Sequence, residues 1–181
     1  FRIFFPGANQ SDPNADRFCT TALLNQTGIK GKIAVCDIGE IPLLDKEKNV
    51  KAAGGVGMII INPEEFGYTT SVDAYSLPAT QVTYADRLKL IKYVNTARSP
   101  KAAISFKGTM IGDNHAPAVA YFSSRGPSQA SIGILKPDII GPGVNILAAW
   151  HRSVENNPNT KSNFNVISGT SMACPHLSGV A

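Results

Sequence analysis

The chain has 181 residues, 17 of them basic and 13 acidic, a net charge of +4, and an apolar content of 43%. That is room for one compact domain or two small ones, with the apolar share of an ordinary globular chain rather than a disordered one. The charges are scattered with no basic run, which argues against nucleic acid as a partner, and no apolar stretch reaches the length of a membrane span.

No signal peptide is visible at the start. The opening Phe1-Arg2-Ile3-Phe4-Phe5 and the closing Ser178-Gly179-Val180-Ala181 read as cut ends of a longer protein. Residues 1 to about 30 are turn-rich, punctuated by Pro6-Gly7, Ser11-Asp12-Pro13-Asn14 and Thr27-Gly28. Two sequons, Asn9-Gln10-Ser11 and Asn25-Gln26-Thr27, make Asn9 and Asn25 candidate glycosylation sites. Cys19 and Cys36 flank a short polar segment, and both could lie beside the strand over Lys32–Val35. Bonded to each other they would close a loop worth about 3 kcal/mol through the entropy of the unfolded chain. Unpaired buried thiols satisfy the sequence equally well.

Lys30-Gly31 is a turn into a short apolar strand over Lys32–Val35. Leu43–Ala53 has the pattern of a helix with Leu44, Val50 and Ala53 as its apolar contacts, ended by Gly54-Gly55. A glycine cluster at 54–57 raises the question of a phosphate cradle. Such cradles run strand, glycines, helix; here the order is reversed, and a helix C-cap turn is the better reading. Val56–Ile61 is a buried strand stopped by Asn62-Pro63. Leu77–Val82 is a short strand, Ala85–Thr96 an amphipathic helix with Leu88, Ile91 and Val94 as one stripe, and Ala102–Phe106 a closing strand. Residues 1–112 are thus expected to form a small α/β unit.

The remainder, residues 113–181, changes in composition. Pro117–Phe122 leads into Ser123-Ser124-Arg125-Gly126-Pro127. Leu135–Leu147 follows, with Gly141-Pro142-Gly143 inside it. A strand ending at Trp150, a polar loop around Asn156–Asn159 and a strand over Phe164–Ile167 come next. Then stands Ser168-Gly169-Thr170-Ser171-Met172-Ala173-Cys174-Pro175-His176. Gly169 permits a tight turn, and Pro175 suits the first turn or so of a helix, where donors have no internal partner. The pattern places Ser171 at a helix N-terminus, where free N–H groups and the helix dipole can stabilise an oxyanion. Cys174 is a small core residue in the same helix, with nothing beside it to generate a thiolate.

Gly169-Thr170-Ser171-Met172-Ala173 with Pro175-His176 resembles the nucleophile motif of the subtilisin-like serine proteases. The resemblance implies that Ser171 attacks the scissile carbonyl and that the Ser171 N–H and the Thr170 hydroxyl hold the oxyanion. Upstream, Lys30–Cys36, Lys51–Ile59 and Leu77-Pro78-Ala79 together resemble the protease-associated (PA) domain. A PA domain inserted before the serine motif is typical of plant subtilases, and the blocks Phe122–Pro127 and Leu135–Leu147 are similar to their catalytic domain. The implied fold is a small protease-associated α/β domain followed by the C-terminal part of a subtilisin-like parallel-sheet catalytic domain. Phe122 would lie on the leaving-group side of the cleft, and Ser168 and Gly169 beside the nucleophile. Relatives commonly carry Ala where Gly141 stands, and the glycine should loosen that turn slightly.

A serine hydroxyl needs a base, and the base an orienting group. His176 lies five positions along the helix, about 140° around its axis, and points away from Ser171. His115 and His151 lack the family's His-Gly-Thr setting. Asp37, in Val35-Cys36-Asp37-Ile38-Gly39, resembles the family's Asp-x-Gly but suits the inserted module better, and Asp138 is a structural carboxylate. The family order Asp, His, Ser therefore places the base, its carboxylate and the oxyanion Asn upstream of this chain. No metal spacing appears and no cofactor is expected.

The resulting expectation is a serine endopeptidase acting on protein or peptide substrates, inert as this piece alone. The alternative is a non-catalytic PA module that binds protein, attached to an inactive peptidase remnant. The PA domain is implicated in homodimer contacts in some family members. The sequons, the cysteine pair and the family together point to secretion, to the cell exterior or the vacuole.

Overall fold

The computed structural model describes residues 1–8, 16–21, 28–109, 111–112, 114, 117–151 and 163–181. Asn9, Asn25 and His115 lie outside the described residues. The chain divides into two compact units, residues 1–116 and 117–181.

In the first unit, β1 (Ile3–Phe4), β2 (Ile33–Asp37), β3 (Gly57–Ile61) and β4 (Ala79–Val82) form one parallel sheet in that order. Ile33 pairs with Gly57 and Met58 with Ala79. Every residue of β2 and β3 is buried. The apolar runs over residues 33–36 and Gly57–Ile61 follow from a sheet covered on both faces, which is also what parallel crossovers require. Ala34, Cys36, Met58 and Ile60 face Val50 of helix α1 (Leu43–Ala52). Ile33, Val35, Ile59 and Ile61 face the other way, against Leu90 and Val94 of helix α2 (Tyr84–Thr96).

The helices differ from the expected stripes. On α1, Leu43 rather than Leu44 packs on the core, and the charged residues Lys46 and Glu47 are buried. The Lys46 ammonium donates to the Phe18 and Gly39 carbonyls at 2.6 and 2.7 Å. Burial holds its pKa below the ordinary lysine value, against the opposing pull of Asp16, Glu40 and Asp37. The Glu47 carboxylate accepts from the Ser76 hydroxyl and the Leu77 N–H at 2.6 and 2.9 Å. Partners of this kind make a buried charge tolerable, and periodicity alone does not show them. On α2, Leu88 is 52% exposed, so the core stripe is Leu90 and Val94. Thr83 caps that helix, its hydroxyl accepting from the Asp86 N–H at 3.2 Å.

The glycines after α1 are its C-cap. Gly54, at φ +82°, donates to Lys51, and Gly55 donates to Val50. That pair of bonds is the Schellman arrangement, which favours a left-handed glycine. Ala102–Phe106 is not a strand. The residue before it, Lys101, forms a single antiparallel bridge with Arg2, the residue before β1. β1 is only two residues long, so there is no edge on which a longer ladder could grow. Ala102 and Ile104 nevertheless pack on the core.

Tyr75 gives this unit an alkaline signature. Burial first, then the charge of Asp73, then the hydrogen bond to it (3.5 Å), and last the charge of Glu47, raise the phenol above its ordinary pKa. The folded chain keeps this proton where the unfolded chain releases it, near about pH 10. Its contribution to stability is complete below that pH and is lost as pH climbs past it. Thermal unfolding between about pH 9 and 11 should show a steeper fall in midpoint for the parent than for Tyr75→Phe. Parallel slopes would refute the assignment.

In the second unit, β5 (Ile146–Ala149) and β6 (Phe164–Ile167) pair antiparallel, Ile146 opposite Ile167 and Ala149 opposite Phe164. Helix α3 (Thr170–Val180) follows. The parallel sheet of the described residues is the one in the first unit. Every buried apolar side chain among the described residues lies between Ile3 and Ile61, and α3 buries none.

Candidate active site

β6 ends at Ile167, Ser168-Gly169 turns the chain, and α3 begins at Thr170. Ser171 is the second residue of that helix, and Thr170 and Ser171 are both exposed. The Met172 N–H donates to the Gly169 carbonyl at 3.0 Å, whereas no described acceptor meets the Thr170 or Ser171 N–H. An exposed hydroxyl thus stands where backbone donors and the positive end of the helix dipole are open. No acidic side chain occupies the first turn to cancel that field.

The turn is held from the segment just before β5. Gly169 N–H donates to the Gly143 carbonyl at 2.8 Å, and the Asn145 N–H donates to the Ser168 hydroxyl at 2.8 Å. The same hydroxyl lies 3.4 Å from Asn145 Oδ1. Ser168 and Gly169 are therefore engaged in shaping the turn. Asn145 adopts a left-handed φ of +53°, a conformation that asparagine tolerates better than most residues. Gly143 and Asn145 received no role from the sequence. The signal that could have found them is Gly-Pro-Gly two residues ahead of a strand, since glycine beside proline marks a turn.

Pro175 is the sixth residue of α3, beyond the first turn that its ring was expected to fit. It has no N–H to donate, so the Ser171 carbonyl lacks its helical partner, and the proline ring crowds that carbonyl. Cys174, expected in a core, is exposed. Phe122 is half-buried and packs edge-on against Tyr121, ring centroids 5.4 Å apart. No described hydrogen bond or ring contact joins Phe122 to Ser171.

No base among the described residues meets the serine. His176 Nδ1 sits 2.8 Å from the Met172 carbonyl on its own helix. The His151 ring lies 5.9 Å from Trp150. Asp37 is buried in the first unit, paired with Arg17 at 3.3 Å and with Arg87. Asp138 is exposed and paired with Lys136. Cys19 and Cys36 form a disulfide, their Cα atoms 5.6 Å apart. Among the described residues no three His, Cys, Asp or Glu side chains converge as a metal site. No helix among them is long and apolar enough to cross a membrane.

These features define a PA-type α/β unit followed by a strand–turn–helix segment bearing a serine at the helix entrance. Comparison with known proteins agrees. The PA domain family matches residues 6–90. The subtilisin-like protease SBT1.2 of Arabidopsis thaliana is 47% identical over 167 residues, covering 90% of this chain and 22% of that protein. SBT1.3 of the same plant is 41% identical over 186 residues, 100% of this chain and 24% of its own length. SBT1.7 is 44% identical over 182 residues, 98% and 24% respectively. The chain belongs to the plant subtilisin-like protease family, as a stretch containing the PA domain and the Gly-Thr-Ser-Met-Ala motif. It spans about a quarter of the length of these relatives, between 22% and 24%.

Proposed function

We propose that the whole protein is a serine endopeptidase in which Ser171 is the nucleophile. The observation that carries this is the exposed Ser171 hydroxyl beside N–H groups that no described residue accepts from, at the start of α3. The hydroxyl attacks the peptide carbonyl, and the amine leaves with the proton that the hydroxyl gave up. An acyl-enzyme remains, and water hydrolyses it. The Ser171 N–H and the Thr170 hydroxyl receive the negative oxygen of the tetrahedral intermediate. No base meets Ser171 among the described residues, and the family order Asp, His, Ser puts the base and its carboxylate upstream of the serine's segment, so the 181-residue chain by itself is expected to show no turnover. Substrates are proteins or peptides. The buried disulfide supports an oxidising destination, the cell exterior or the vacuole. The test is labelling of the whole protein by a fluorophosphonate probe. Labelling disappears in Ser171→Ala, and unchanged labelling would place the nucleophile elsewhere.

The turn itself makes a finer test. A Cβ on Gly143 would stand 2.9 Å from the Gly169 carbonyl oxygen and 3.3 Å from Ala173 Cβ. A backbone oxygen cannot swing aside, so Gly143→Ala has to displace the turn two residues ahead of Ser171. An ångström of misplacement at a reacting group can cost about 100-fold in rate, and the variant should lose activity on that scale. At Gly141 the added methyl would meet the Leu177 side chain at 3.0 Å, and a flexible side chain can yield. Gly141→Ala should keep activity within about twofold, in keeping with an ordinary near-neutral substitution. Peptidase rates of the two whole-protein variants, measured side by side, check the contrast.

A further inference from the structure

We infer that the PA unit carries a second site, a cleft at the carboxyl ends of β2 and β3 that binds a peptide carboxylate flanked by an aliphatic side chain. The cleft has a volume of about 320 Å³, near the lower end of the roughly 300–1,000 Å³ common for ligand pockets. The carboxyl ends of parallel strands are where open α/β sheets tend to hold ligands.

Its floor is Asp37, whose side chain is 5% exposed, set between two guanidinium groups. Arg17 Nε reaches one carboxylate oxygen at 3.3 Å, and Arg87 Nη1 takes the other. Among these three groups two positive charges meet one negative, an excess of one that the exposed Glu64 carboxylate offsets over the cleft as a whole. Arg87 is only 14% exposed, so this excess is partly withdrawn from water. Arg17 is 48% exposed and lies over the Phe18 ring at 4.8 Å. Its Nη groups meet no described acceptor, so the fork that would grip a carboxylate with two hydrogen bonds is open.

The walls decide which anion fits. Phe18, Leu88 and Ile91 line the cleft, and Leu88 is 52% exposed. A purely structural ion pair has no need of an open apolar wall beside it. Glu64, exposed at the lining, sets a negative charge near the mouth. The site as a whole suits a monoanion with an apolar neighbour and disfavours a phosphate dianion, which would be repelled by Glu64 and would leave the apolar wall unused. The inference stands independently of the role of Ser171.

The experiment uses the whole protease carrying Ser171→Ala, with fluorescence anisotropy of three labelled peptides checked intact by mass spectrometry. One ends in Leu-Leu with a free carboxylate, the second is its C-terminal amide, and the third is an amide in which the last leucine is replaced by aspartate. The free acid, the aspartate peptide, or both should bind saturably and about tenfold or more tighter than the leucine amide, the difference expected when a charge-assisted pair is lost. A free acid that binds better than the aspartate peptide assigns a chain terminus, and the reverse assigns an acidic side chain. Arg17→Ala should remove the preference, Arg17→Lys should restore part of it, and Leu88→Ser should weaken the binding. Because Arg17 and Leu88 are half-exposed and Asp37 keeps Arg87, these variants should retain the parent melting temperature, measured alongside. Equal affinity for the three peptides, or an Arg17→Ala variant that melts like the parent and keeps the preference, would overturn the proposal.

Discussion

Under the proposed peptidase activity, Ser171→Ala in the whole protein is expected to lower kcat on a peptide substrate by on the order of 10⁶-fold, the scale recorded when subtilisin, the family's namesake, loses its nucleophile. The size of the loss follows from the position. Ser171 stands in the first turn of α3, where a hydroxyl and backbone donors that meet no described acceptor come together, so alanine removes the attacking atom and leaves the donors without an intermediate to hold. Folding should be nearly unaffected, because the side chain is exposed and surface substitutions usually stay within about 0.5 kcal/mol. Cys174, the other nucleophilic side chain on this helix, is also exposed, but it lies a full turn further in, where backbone N–H groups point to internal acceptors. Cys174→Ser should therefore retain activity within about twofold, as near-neutral surface changes do. His176→Ala should do likewise, since that ring is tied to the Met172 carbonyl. Steady-state rates and melting curves of the three variants together decide the matter. An active Ser171→Ala, or a dead Cys174→Ser with a normal melt, would remove the serine from the chemistry.

Much of the first unit was legible because its signals are local. Ile33–Asp37 and Gly57–Ile61 are short apolar runs bounded by glycine and proline, and these fix two buried strands without any knowledge of their neighbours. Gly54-Gly55 announces the end of α1 for the same reason. What escaped is what depends on partners distant in sequence. Burial of Lys46 depends on the Phe18 and Gly39 carbonyls, and Asp37 gives no hint in sequence of Arg87, fifty positions away. The serine motif was legible as a string of residue types. The anchoring of the turn that presents it was not, because Gly143 and Asn145 reach it from the segment before β5, more than twenty positions upstream. Cys174 was expected to be buried because its neighbours are small and apolar. Burial, however, needs covering chain, and the second unit holds no buried apolar side chain among its described residues. The relatives are about four times as long, since the chain spans 22–24% of them, so a helix patterned for a core can stand uncovered in this stretch.

Removing the Cys19–Cys36 disulfide is expected to have the largest effect on stability. The bond joins residues separated by 17 positions, and the chain-entropy estimate for a loop of that size is about 3 kcal/mol. For a unit of this size, such a loss lowers the melting midpoint by roughly 10–15 °C. The structure gives two reasons for the full effect to appear. Both cysteines are 0% exposed and belong to the cluster that packs on α1, so their loss is not absorbed at a surface. Cys36 lies within β2, whereas Cys19 sits next to Phe18, whose carbonyl receives the buried Lys46 ammonium. The disulfide therefore holds in place the loop that satisfies a buried charge, and a loosened Phe18 leaves Lys46 short of an acceptor. Cys19→Ala/Cys36→Ala, which nearly keeps the packing, should show the midpoint drop in urea and heat denaturation, and Lys46→Met placed on top should cost less than it does in the parent. Because the sulfur atoms are fully buried, a thiol reductant should act on the native chain only through unfolding, at the rate of global opening. A double-alanine variant that melts within about 2 °C of the parent, a difference worth well under 1 kcal/mol, would show that the loop holds itself without the bond.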